Sequence, residues 1–154
     1  GGLAAHSLLV FKCTLSLAKS FFDLYKESPN TSSYQVSAED LFVASIAHDF
    51  CKIDTYYTEF RNVKDILGNW KKVPQYKTRL DSRALGHGNE SVLRLLEVMP
   101  SFMKKRYVIE AVSRHMGFSD LSPMESYNYS NFLDNPLLVL LQTADEVAAQ
   151  WFGI

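Results

Sequence analysis

Cysteine is scarce in this chain: Cys13 and Cys51 are the only two among 154 residues, too few for a disulfide framework. A reducing, cytoplasmic setting is the expectation that follows. No apolar run approaches membrane-spanning length, and the first residues lack the charged region and cleavage site of a signal peptide. A net charge of -1 argues against bulk electrostatic binding to DNA, RNA or an anionic membrane, so any nucleic acid would have to be engaged locally. Internal repeats and low-complexity tracts are absent, and no heptad pattern or interface stripe specifies an oligomeric state. Strand signals are weak throughout.

What is present is a chain that is 47% hydrophobic, enough to bury a sizeable core as a single domain over residues 1–154. Apolar residues recur at helical spacing from Leu3 to about Tyr25, then ESPNTSSYQVS breaks the pattern as a surface loop. Ser37 and Asp40 have the form of a capping box, with Asp in place of the usual Glu, and start a helix that runs toward His48. From about Asp54 to Leu85 the pattern loosens. Helices resume over about Asn89 to Val98, Ser101 to Met116 and Leu137 to Phe152, the last introduced by Asn135 as cap and Pro136 at the first helical position. The expected fold is all-α, a compact helical bundle with one long irregular insertion.

Histidine and aspartate carry the chemistry. The four histidines are spread over more than a hundred residues, as His6, His48 beside Asp49, His87 and His115, with Asp145 closing the series. In SIAHDFCKI an imidazole and a carboxylate sit side by side among Ile46, Ala47, Phe50, Cys51 and Ile53, which favour burial. Two neighbouring polar groups are costly to bury unless each is paired or metal-bound. His115 in AVSRHMG and Asp145 in LLQTADEVAA repeat that situation on two further apolar stretches. Imidazole suits Zn, Fe, Mn and Ni, carboxylates bridge ions, and six such ligands are the complement of a two-metal centre.

This ordered set, with Lys52 three residues after Asp49 and with GGLAAHS, GHGNES and TADE around the other ligands, resembles the HD-domain metal-dependent phosphohydrolase superfamily in its six-ligand, binuclear form. The resemblance covers nearly the whole chain and includes a group of phage and bacterial hydrolases. It implies an HD-domain bundle holding two divalent ions, with Fe, Mn, Zn, Ni and Mg all open. One ion would take His6, His48, Asp49 and Asp145; the other would take His87, His115 and the second oxygen of Asp49. Two such ions share and acidify a water, giving a bridging hydroxide aimed at phosphorus. Lys52 would hold that hydroxide or a phosphate oxygen, so Asp49 and Lys52 are the residues expected to carry catalysis.

Substrate recognition is expected between the His48–Asp49 pair and His87. From Lys52 to Arg83 the chain has eight cations against four carboxylates, a local charge of about +4, interleaved with Tyr56, Tyr57, Phe60, Trp70 and Tyr76. Cations and aromatic rings together suit a stacked base with held phosphates, although a basic loop packed on its own aromatics has the same composition. Arg61 and Lys72 are the first candidates there, and Arg114, beside His115, is a further candidate for phosphate. Gly86 and Gly88 flank His87 and permit a tight turn into the next helix, where Asn89 and Glu90 suit capping or support of His87. Cys51 is read as a small buried thiol.

The expected function is a metal-dependent phosphoric ester hydrolase, a phosphohydrolase or phosphodiesterase acting on a small nucleotide-like phosphoester. Two alternatives use the same ligands: a di-iron oxygenase of that superfamily acting on a small phosphonate or polyol, and a metal-containing nucleotide-binding protein without turnover.

Overall fold

Helical periodicity at the start of the chain becomes α1 (Leu3–Glu27), which stops where Ser28, preceding Pro29, turns extended. The computed structural model describes residues 2–29, 34–79 and 85–153. Part of the predicted surface loop, residues 30–33, lies outside them. α2 (Ala38–Ala47) opens on the anticipated capping box: Ser37 Oγ accepts from the Asp40 N–H, and the Asp40 carboxylate accepts from the Ser37 N–H. Beyond it follow α3 (His87–Val98), α4 (Arg106–Arg114), the short α5 (Pro123–Tyr127) and α6 (Pro136–Phe152), with 3-10 turns between several of them. Asn135 caps α6 through its Oδ1, which accepts from the Leu137 N–H at 3.0 Å.

The contacts divide the chain into two compact units, Gly1–Cys51 with Arg83–Ile154, and Lys52–Ser82. In the first, α1 packs along α6 and α2, while α4 packs against α3 and α6. Its core is built from Val10 of α1, Val43, Ala44 and Ala47 of α2, Val108, Ala111 and Val112 of α4, and Leu137, Leu138, Leu140, Leu141, Ala144 and Ala148 of α6. The alanines at these contacts let helix backbones approach closely, so that side chains on different helices can meet in one small volume. Among the described residues no helix is long and apolar enough to cross a membrane.

The second unit overturns the all-α expectation. β1 (Tyr56–Lys64) and β2 (Trp70–Thr78) form a two-stranded antiparallel sheet over the region read as an irregular insertion. Its register pairs Tyr56 with Thr78 and Lys64 with Trp70. Asp65 makes the turn, since its Oδ1 accepts from the N–H groups of Leu67 and Asn69, both at 2.9 Å. Cross-strand side chains hold the ribbon together: Lys77 meets Glu59 at 2.5 Å, and the Lys64 ammonium lies 5.1 Å from the centre of the Trp70 ring. The fold is therefore mostly helical with a β-hairpin. Both sheet faces are largely exposed, so the strands lack the apolar alternation of a half-buried sheet, and Pro74 inside β2 reads as a break.

Asp40 also ties α2 to α4. Its carboxylate, 1% exposed, accepts from Lys105 Nζ at 2.5 Å, Tyr107 Oη at 2.8 Å and the Ser37 N–H at 2.8 Å. Burial works against its charge, but these donors outweigh burial and hold the carboxyl below its ordinary range. The contribution is thus complete above the unfolded value of about 3.9 and is lost as pH falls through the lower folded value. Asp40→Ala is expected to cost about 2 kcal/mol at pH 7 in chemical denaturation. The gap to wild type should shrink below about pH 4; a gap independent of pH would show that the carboxylate charge contributes nothing.

Candidate metal centre

Each polar side chain of the site is delivered by a helix end or an apolar helix face. His6 lies in the first turns of α1, His48 caps the C-terminus of α2 with Asp49 next, His87 opens α3, His115 caps the C-terminus of α4, and Asp145 lies on α6. All six belong to the larger unit. His48, Asp49 and His115 are buried, whereas the side chains of His6, His87 and Asp145 keep 13, 12 and 22% of their surface, so the cluster opens on that side.

Asp49 stands at the middle. Its Oδ2 is 3.7 Å from His6 Nε2 and 3.6 Å from His48 Nε2, while its Oδ1 is 2.6 Å from His87 Nε2 and 3.9 Å from His115 Nε2. Asp145 Oδ1 is 2.9 Å from His6 Nε2 and 3.6 Å from His48 Nε2, and those two nitrogens are 3.2 Å apart. Ligands bound to one ion at about 2.0–2.2 Å lie roughly 3–3.5 Å from one another, and the separations within these four residues given above, 2.9–3.7 Å, are close to that spacing. The imidazoles form a chain, with ring centroids 5.2 Å apart for His6 and His48, 5.0 Å for His48 and His115, and 5.3 Å for His115 and His87.

Hydrogen bonds fix which nitrogen faces inward. His48 Nδ1 donates to the Ser45 carbonyl and His115 Nδ1 to the Val112 carbonyl, each at 2.7 Å, which turns Nε2 of each ring into the cluster. Burial, reinforced by His48, lowers the His115 pKa to about 4, so that ring is neutral at pH 7. His115 Nε2 is nevertheless buried without a hydrogen-bond partner. An orphaned acceptor in the interior costs free energy that a cation recovers, and two Nε2 atoms at 3.2 Å need a shared proton or a common cation between them. At the other end, burial opposes a charge on His87, but Asp49 and Cys51 outweigh it and raise the pKa to about 9. Burial likewise opposes ionisation of Asp145, while the His48 and His6 imidazoles hold it well below the usual carboxylate range. The donor set fits a divalent metal: three overlapping groups, His6 with His48 and Asp49, His48 with His115 and Asp145, and Asp49 with Cys51 and His87, can each hold an ion.

No family model, curated protein or solved structure matches this chain. The candidate metal site rests on its own geometry alone.

The other residues singled out from sequence fall in different places. Lys52 ends the 3-10 turn that follows Asp49, and Arg61 and Lys72 lie on β1 and β2, both exposed. Arg83 and Asp81, part of the charge count, lie outside the described residues. Arg114 is half-buried; its Nη2 donates to Glu125 Oε1 at 3.0 Å, and its guanidinium lies 5.2 Å from the centre of the Phe132 ring. Asn89 is not the cap of α3, a place taken by Gly86; its Oδ1 accepts from Ser113 Oγ at 2.6 Å and its Nδ2 donates to the Leu85 carbonyl at 2.9 Å.

Other residues support the site, through partners that the sequence did not reveal. Gly86 has φ 79° at the cap of α3, and a Cβ on Gly88 would collide with the Ser113 carbonyl of α4. The absent side chain lets α3 start against α4, which brings His87 to His115. Asp120 Oδ2 accepts from the Gly88 N–H at 3.0 Å, capping α3 from outside the helix. Cys51 joins Asp49 and His87, and its N–H donates to the buried Ser91 Oγ at 3.1 Å. A divalent ion at about a hundred times its Kd is expected to raise the melting temperature of the wild type by roughly 5–10 °C. His115→Ala should lose most of that rise in a thermal-shift titration with Mn(II) or Zn(II); an unchanged rise would remove His115 from the metal site.

Proposed function

We propose that this protein is a binuclear metal-dependent phosphohydrolase or phosphodiesterase of the HD-domain type, acting on a small nucleotide-like phosphoester. One observation carries the reading: the two oxygens of Asp49 face opposite imidazole pairs, Oδ2 toward His6 and His48 and Oδ1 toward His87 and His115. That is the disposition of a carboxylate bridging two ions. His6, His48 and Asp145 would complete one ion's ligands, and His87 and His115 the other's. Bound divalent ions would acidify a water and polarise a phosphoryl group.

The chain's own residues supply the rest. The backbone carbonyls of Ser45 and Val112 orient His48 and His115, so the Nε2 atoms of these two rings already face the cluster. Two divalent ions against the charges of Asp49 and Asp145 leave about +2 in the cluster, a sign suited to an anionic ester. Lys52, three residues past Asp49 in the chain, is assigned a phosphate oxygen by its sequence position. Arg61, Lys72 and Arg114 are the further candidates for phosphate, and Arg114 would have to exchange its ion pair with Glu125 for it. A reducing cytoplasm suits Cys13 and Cys51, which form no disulfide.

The test is phosphate release from a panel of nucleotides, cyclic nucleotides and short oligonucleotides by protein loaded with Mn(II), Fe(II), Co(II) or Zn(II), with and without oxygen. Oxygen-independent turnover is expected, reduced about 100-fold or more by Asp49→Ala. Lys52→Ala should reduce kcat while leaving metal binding intact. Oxygen consumption by an iron-loaded form without phosphate release would replace hydrolysis by oxygenase chemistry, and metal-loaded protein inert in every assay would leave a binding protein.

A further inference from the structure

The two buried thiols of this chain have different surroundings. Cys13 packs into the main apolar core as a small hydrophobic residue does. Cys51 is 1% exposed yet stands outside that core, among Asp49, His87 and Ser91. Its Sγ, a ring nitrogen of His87 and a carboxylate oxygen of Asp49 all lie within 4.8 Å of one another. Its backbone is fixed by the Ser91 hydroxyl, itself fully buried, so the thiol is held in the cluster rather than swept through it. The orphaned His115 Nε2 lies at the same end, with its ring 5.3 Å from that of His87.

We propose that Cys51 is a metal ligand, giving the Asp49–His87 end of the centre a sulfur donor while the His6–His48–Asp145 end keeps nitrogen and oxygen alone. This rests on the metal-centre reading above and specifies its chemistry. On binding, the thiol loses its proton to solvent and the thiolate takes one coordination position, with no change of oxidation state. The ends of the centre then differ in softness: the sulfur end selects Zn(II), Fe(II) or Co(II) over Mg(II), and the other end accepts a wider range. A mixed-metal centre follows from one short stretch of sequence, His48 to Cys51, which supplies a nitrogen, a bridging carboxylate and a sulfur.

Cobalt distinguishes this proposal from the reading beneath it. Protein stripped by chelator is titrated anaerobically with Co(II), with bound cobalt measured by mass spectrometry and sulfur-to-cobalt charge transfer followed in the near ultraviolet. The expected result is a charge-transfer band in the wild type and in Cys13→Ser, absent from Cys51→Ser, with Zn(II) affinity at one site weakened tenfold or more in the last. Cobalt bound by the wild type without the band overturns thiolate ligation and leaves the metal centre standing. A band that survives in Cys51→Ser also overturns the assignment. If the wild type binds no cobalt, the centre and the proposal fall together. Because the wild-type spectrum decides the first question, poor folding of a variant cannot hide the answer.

Discussion

A carboxylate that is 2% exposed and surrounded by four imidazoles is the constraint on which the larger unit depends. Burying that carboxylate is tolerable because imidazoles meet both its oxygens, and they come from α1, the end of α2, the start of α3 and the end of α4. At the deep end of the cluster His115 Nε2 is buried without a hydrogen-bond partner. Such a cluster of imidazoles and carboxylates could hold a metal ion.

Everything that fixes the site's dimensions follows from close helix approach. Ala144 and Ala148 on α6 and Ala44 and Ala47 on α2 are fully or almost fully buried among larger aliphatic side chains, which lets His6, His48 and Asp145 meet across three helices. Gly88 does the same between α3 and α4. Ser45 serves both ends of this design, since its Oγ bonds the Leu41 carbonyl at 2.7 Å and lies 3.0 Å from Thr14 Oγ1, while its own carbonyl orients His48. Hydrogen bonds distant from the candidate ligands, such as those of Asp40 to Lys105 and Tyr107, tie α2 to α4.

Much of the helical unit could be read in advance because its signals are local. Ser37 with Asp40 and Asn135 with Pro136 mark helix starts through chemistry within four residues, and His48 beside Asp49 in an apolar run marks a buried polar site. The hairpin escaped because strand periodicity reports a buried face, and Tyr56–Lys64 and Trp70–Thr78 have almost none. Cys51 is buried, as its apolar run implies, but its polar setting was not legible, because His87, thirty-six positions on, and Ser91 supply it. Asp120 and Gly88 are likewise defined by partners far along the chain, the first by the start of α3 and the second by Ser113.

The most direct measurement is the metal content of protein purified without added metal, by mass spectrometry against protein concentration. The account predicts about two divalent ions per chain, lost together when Asp49 is replaced by Ala. Fewer than about one ion of any kind, after supplying Fe, Mn, Co and Zn in turn, would contradict a bridging role for Asp49 and with it the two-ion centre.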